Sequence, residues 1–250
     1  TLLQYGDKII HMISSFINSG ISLVTLRKFS LQHDNEEEFQ RLFYLIYKTM
    51  IFISIPIAFV VFFFFDEALN LIILSNKLTI EDIKKIYLVI IAFLGVFIGG
   101  SLNSTITNAF YAKGLTSTVA KVAVIFQSFG IIFKIGMFII FGFWGLPIAL
   151  SINSILGVGA LYILYYKKIY KYSVIDILKY SLKISFIALL SAGIPSFLVN
   201  IFFESWLLKF LFESLLFSIL FVSLTKRIEK DIFNLIFDRI KAKITNKKNV

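Results

Sequence analysis

Long apolar runs, broken by short polar or basic stretches, set the pattern of this chain. A helix crosses a bilayer core with about 20 apolar residues at 1.5 Å rise. On that scale the pattern predicts seven spans, at about 5–26, 43–65, 86–110, 118–141, 146–166, 183–203 and 206–225. The first five, within 1–166, form a core; 167–225 adds two more spans; 226–250 is a tail. In the tail Ile228, Ile232, Ile236, Ile240 and Ile244 recur every four residues beside Phe233 and Phe237, among many Lys and Arg. That stripe predicts an amphipathic helix on an anionic membrane surface. A solvated, partly disordered tail is the alternative.

The connections carry helix punctuation. Asp34 or Asn35 can cap a helix whose first turn holds Glu36, Glu37 and Glu38, where carboxylates complement the dipole. Thr79-Ile80-Glu81-Asp82 is a second helix start. Pro56, inside the second span, predicts a kink. Asn108-Ala109-Phe110-Tyr111-Ala112-Lys113-Gly114 is a short basic turn between the third and fourth spans, and Gly145-Leu146-Pro147 turns the chain back after the fourth. The fold class is therefore all-α: a polytopic membrane helix bundle.

Composition agrees. Hydrophobic residues make up 58% of the 250, against about 45–50% in soluble domains, and mean hydropathy is +0.86. Without Cys there is no disulfide, thiol chemistry or Cys-based zinc site. His11 and His33 fit no metal-ligand pattern, so no metal and no cofactor is expected. No nucleophile–base pair is evident, which disfavours an enzyme.

A net charge of +10 is read as cationic loops on one side of a membrane, with no nucleic-acid partner. Nineteen of the 25 Lys and Arg side chains fall on the side of the 108–114 turn and the C-terminus, and five on the other. That asymmetry predicts a cytoplasmic C-terminus. Thr1 is then on the outer side with no signal peptide, which predicts further spans upstream.

Within the spans, a few polar groups invite explanation. The first span carries Asp7, Lys8, His11, Ser14, Ser15, Asn18 and Ser19, too polar to face lipid all round. Asp7 and Lys8 are either an interfacial pair that snorkels or groups facing a watery cavity. Lys134 lies seven residues from the outer end of its span, roughly 10 Å deep. It either snorkels outward or sits in a polar site between spans. Asn103, Thr105, Thr107, Asn108 and Asn153 are expected to hydrogen-bond across helices. Gly95, Gly99, Gly100 and Ser101 suit close packing. The many Phe residues of the last two spans suit lipid contact.

Several of these motifs, in this order, resemble the MurJ lipid II flippases of the multidrug/oligosaccharidyl-lipid/polysaccharide exporter superfamily. They are Tyr5-Gly6-Asp7-Lys8 opening a polar span, Leu26-Arg27-Lys28-Phe29-Ser30 closing it, Ile55-Pro56, the 108–113 turn followed by Thr116-Ser117-Thr118, and Gly145-Leu146-Pro147-Ile148-Ala149-Leu150-Ser151 with Asn153. The similarity covers about 3–168. It implies the C-terminal lobe, plus two extra helices, of a two-lobed fourteen-span exporter whose N-terminal lobe is missing here. It implies a transporter without ATP hydrolysis, multi-pass in the bacterial inner membrane among its lipids. Its substrate would be a lipid-linked sugar, either lipid II or an O-antigen or capsular repeat unit.

The resemblance also implies site residues. Lys8, typically Arg in the family, would help bind the lipid diphosphate, with Asp7 setting its orientation. Gly130 and Lys134 fall where some members place sodium ligands, so Lys134 would substitute for the cation. Phe197, Phe202, Phe210 and Phe217 would line a groove for the lipid tail.

Overall fold

The computed structural model describes residues 2–73, 79–169, 173–203 and 205–228. The expected amphipathic stripe past Ile228, together with Lys77, Lys171 and Glu204, lies outside them. Among the described residues there are eight α-helices and no strand. They are α1 (Leu2–Leu31), α2 (Glu36–Ile73), α3 (Ile80–Ala92), α4 (Leu94–Ala112), α5 (Thr116–Phe141), α6 (Gly145–Ile169), α7 (Val174–Phe202) and α8 (Trp206–Ile228). Six stretches are long and apolar enough to cross a membrane. One, Thr116–Ile169, has 54 residues, about 80 Å of helix against a core of about 30 Å. It is α5 and α6, parted by a 3₁₀ turn over Gly142–Trp144.

The helix ends follow local chemistry. Asn35 caps α2 by accepting from the Glu38 N–H at 3.2 Å. Thr79 and Asp82 form a reciprocal capping box on α3. Helix α4 ends in a Schellman turn: the Leu115 N–H reaches the Phe110 carbonyl at 2.9 Å, and Gly114 takes φ 70°. At Gly142, φ 59° and ψ −138° allow the reversal between α5 and α6, a conformation essentially reserved for glycine. Helix α2 continues through Pro56. Helix α7 begins at Val174, nine residues before the expected span, because Lys179 and Lys183 extend the helix rather than form a loop.

Two compact units result, Thr1–Ile184 and Ser185–Val250. In the first, α5 and α6 form an antiparallel hairpin. Lys168 bonds Thr118, Gly157 faces Phe126, Gly130 faces Asn153, and Gly145 faces Met137. Helices α4 and α6 run parallel at close quarters, Gly95 against Ser151 and Gly99 against Ser154. Such small-residue contacts drive helix association in lipid.

The third span is not one helix. The Ser151 hydroxyl of α6 inserts where Val96 N–H would meet the Ala92 carbonyl: it accepts from Val96 N at 3.3 Å and donates to Ala92 O at 2.5 Å. A side chain inserted into the backbone ladder is an established cause of helix breaks. Gly95 makes the insertion sterically feasible, since a Cβ there would lie 2.6 Å from Ser151 Cβ.

The two ends of this unit are packed differently. At the end with the α4–α5 turn, buried Phe29, Phe39, Phe43, Tyr47, Phe110 and Tyr165 gather, and Phe43 stacks on Tyr165 at 4.0 Å. Polar braces tie that end together. Gln40 donates to the Ile169 carbonyl at 3.1 Å, and Lys113 donates to the His33 carbonyl at 2.7 Å while lying over the Phe39 ring. Near the other end the core is mostly aliphatic, with Ile10 of α1, Val61 and Leu69 of α2 and Ile86, Val89 and Ile90 of α3, joined by Phe93 and Phe97. In the second unit Lys209 donates to Asn200 Oδ1 at 2.7 Å, and Phe203 stacks on Phe212 at 4.6 Å across the connection.

Candidate functional site

Helix α1 is buried on one side only. Gly6 and Ile10 face inward, and a Cβ on Gly6 would lie 3.1 Å from Val89 Cβ, so α1 rides tightly on α3. The opposite face is open. Gln4, Lys8, His11, Ser15 and Ser19 are all exposed, spaced by one helical turn, with Tyr5, Met12 and Phe16 beside them. An open stripe of polar side chains on a membrane helix has to face water or protein, because hydrocarbon leaves its groups unpaired.

Lys8 projects from this stripe. Asp7 lies at its edge, 48% exposed, and its Oδ1 sits 3.4 Å from Nε2 of His11, one turn on and 65% exposed. Asp7 and His11 pair along the helix, and Lys8 follows Asp7 on the same turn. The sequence shows His11 among the polar groups of the first span but not its contact with Asp7. Its spacing of three from Lys8 and four from Asp7 was the available signal.

Lys134 and Gly130 lie elsewhere, on α5, and α5 is not packed on α1. Gly130 is buried against Asn153 of α6, with a Cβ placed 2.8 Å from Asn153 Nδ2. Lys134, one turn further along, is half-exposed and among the described residues makes no hydrogen bond or ion pair. Nearby, a cavity of about 210 Å³ between α4, α5 and α6 is lined by Asn103, Gln127, Asn153 and Ser154 among apolar neighbours. Asn153 Oδ1, Thr105 Oγ1 and Thr107 Oγ1 are buried without hydrogen-bond partners, so the expected bonds across helices are not made by these atoms.

The phenylalanines of the last two helices are dispersed. Phe197 and Phe202 are 70% and 75% exposed on α7, five residues apart and thus on different faces. Phe210 and Phe217 are half-buried on α8, Phe217 stacked on Phe221 at 5.5 Å. Phe197 borders a shallow apolar hollow along α7 with Leu190 and Ile194.

Comparison with known proteins now decides the family. The family model described as "Lipid II flippase MurJ" matches residues 1–217. The chain belongs to the MurJ lipid II flippase family. A solved structure described as "Lipid II flippase MurJ, inward closed conformation" superposes with a TM-score of 0.70 at 25% identity. The match covers 90% of this chain and 47% of that one, so the chain spans about half the length of that relative. No curated protein sequence matches. Membership of the MurJ family accords with the all-α membrane bundle.

Proposed function

We propose that the full-length protein flips lipid II, a polyprenyl-diphosphate-linked peptidoglycan precursor, across the bacterial inner membrane by alternating access and without nucleotide hydrolysis. The observation that carries this reading is the open polar stripe of α1, headed by Lys8, in a chain of the MurJ family. A diphosphate needs cations in a wet cavity, and α1 offers one on a face that lipid cannot cover. Lys8 supplies a point charge without the two-pronged geometry of arginine, and Asp7 orients it.

In this reading the chain is the C-terminal lobe with two additional helices, and the N-terminal lobe completes the cavity. The C-terminus and the α4–α5 turn are cytoplasmic, supported by the cation asymmetry along the sequence. Phe197, Phe202, Phe210 and Phe217 serve the lipid tail. Lys134 stands in for a coupling cation beside Gly130, where Asn153 fills the space between α5 and α6. Transport is therefore independent of sodium.

The test is complementation of a conditional lipid II flippase mutant by the full-length gene. Growth under depletion is expected. Failure there, with rescue of an O-antigen flippase mutant instead, would overturn the assignment of lipid II.

A further inference from the structure

Resting on the reading of Lys8 as a diphosphate ligand, we infer that an apolar hollow between α1 and α2 seats the first isoprene units of the same substrate. The hollow measures about 330 Å³ and is lined by Met12, Ile13, Phe16 and Ile17 of α1 and Ile57 of α2. Ile13, Ile17 and Ile57 are half-buried and pack on the core shared by α1, α2 and α3, so they form its floor. Met12 and Phe16 project beside it, 63% and 89% exposed.

Lys8 sets the relevance of this position. Lys8, Met12 and Phe16 follow at intervals of four residues, each step rising about 6 Å and turning about 40° round α1. The series leaves the polar stripe at Lys8 and drifts onto the apolar flank, toward Ile57. A polyprenyl diphosphate joins its first isoprene directly to a phosphate oxygen. With the diphosphate on the Lys8 ammonium, that isoprene starts roughly one helical turn away. On the other flank Gln4, His11 and Ser15 present polar groups that a hydrocarbon would leave unpaired. The chain is therefore directed to the side of Met12 and Phe16.

The lining suits a branched, unsaturated chain. Each isoprene carries a methyl branch and a double bond, which give it an irregular outline. The Met12 thioether chain has three rotatable bonds and fills irregular gaps, while the Phe16 ring offers a flat face. A straight saturated acyl chain leaves more of that surface uncontacted. In a bilayer such packing is what selects an apolar partner, because moving from lipid to an apolar protein surface brings no hydrophobic gain. Met12 and Phe16 thus read the part of the tail next to the headgroup.

The experiment uses the full-length protein in phosphatidylglycerol nanodiscs and a farnesyl-diphosphate-linked disaccharide with a diazirine on its first isoprene. Irradiation is expected to place adducts on Met12, Phe16 or Ile57, and excess unlabelled ligand should remove them. In equilibrium binding, Met12→Ala and Phe16→Ala should each weaken the farnesyl ligand about three- to tenfold, the loss of one set of dispersion contacts. Neither should alter binding of the same headgroup carrying a methyl in place of farnesyl. Both side chains are exposed, so neither change threatens the fold. Adducts found elsewhere overturn the inference. So do adducts at the hollow that survive competition and form equally from a diazirine-bearing phosphatidylglycerol, which would make it ordinary lipid-facing surface. Should Lys8→Ala bind the methyl ligand as tightly as the unaltered protein does, the reading of Lys8 fails instead.

Discussion

Two adjacent glycines of α4, Gly99 and Gly100, should respond in opposite directions to the same substitution. A Cβ on Gly99 would lie 3.0 Å from both the Cβ and the carbonyl carbon of Ser154 in α6. Carbon atoms pack at about 3.5–4.0 Å, so Gly99→Ala demands roughly 0.5–1 Å of separation between α4 and α6. One obstacle is backbone, which no rotamer change relieves. At Gly100 nothing lies within 4 Å of the added carbon. Replacing a helical glycine by alanine contributes about 0.5–1 kcal/mol of conformational preference at either position. Overpacking costs about 1–3 kcal/mol, at Gly99 alone. Because the preference cancels between variants, their difference isolates the steric cost. Gly99→Ala should be less stable than Gly100→Ala by about 1–3 kcal/mol. Reversible unfolding of the full-length protein in mixed micelles, followed by tryptophan fluorescence, measures this directly. Equal stability of the two variants would refute the close approach of α4 and α6.

Other perturbations test other parts of the molecule. Phe43→Ala removes the ring stacked on Tyr165 and should destabilise the protein by about 3–5 kcal/mol in the same assay. Lys113→Met removes the bond to the His33 carbonyl and the contact with Phe39, at about 1–2 kcal/mol. Limited proteolysis should then cut the α1–α2 connection faster, with little change elsewhere. Flipping by the full-length protein in proteoliposomes should proceed at the same rate in sodium and in potassium. A sodium-dependent rate that disappears in Lys134→Asn would refute the role given to that ammonium.

The positions of the helices were legible because each buries its backbone polar groups within one long apolar run, and the capping residues Asn35 and Thr79 lie where local hydrogen bonding requires them. The break at Phe93 was not legible. Its cause, the Ser151 hydroxyl, lies 58 residues away on α6, and nothing in the local sequence of α3 or α4 announces it. Pro56, the local signal for a kink, lies inside a helix that continues, and it carries no information about the break at Phe93. The candidate site was half legible. The polarity of α1 exposed the helix and Lys8, but the contact between Asp7 and His11 needed the structure. Asn153 was expected to reach a neighbouring side chain; its amide nitrogen instead lies over Gly130, and its oxygen remains without a bond.

Helix α1 rests chiefly on α4 and α3, and meets α2, the helix that follows it in the chain, less extensively, as where Phe29 packs on Phe39 and Phe43. That arrangement sets a timetable for biosynthesis. Helix α1 leaves the ribosome with its polar stripe exposed and its main partner unmade. About 80 residues separate its end from the end of α4, about 4–16 s of synthesis at 5–20 residues per second. For that interval the most polar helix of the unit has to be sheltered by the insertion machinery or by an earlier part of the same protein. Mutations that slow translation between Glu36 and Ala112 should therefore lower yield without altering the stability of the molecules that do assemble.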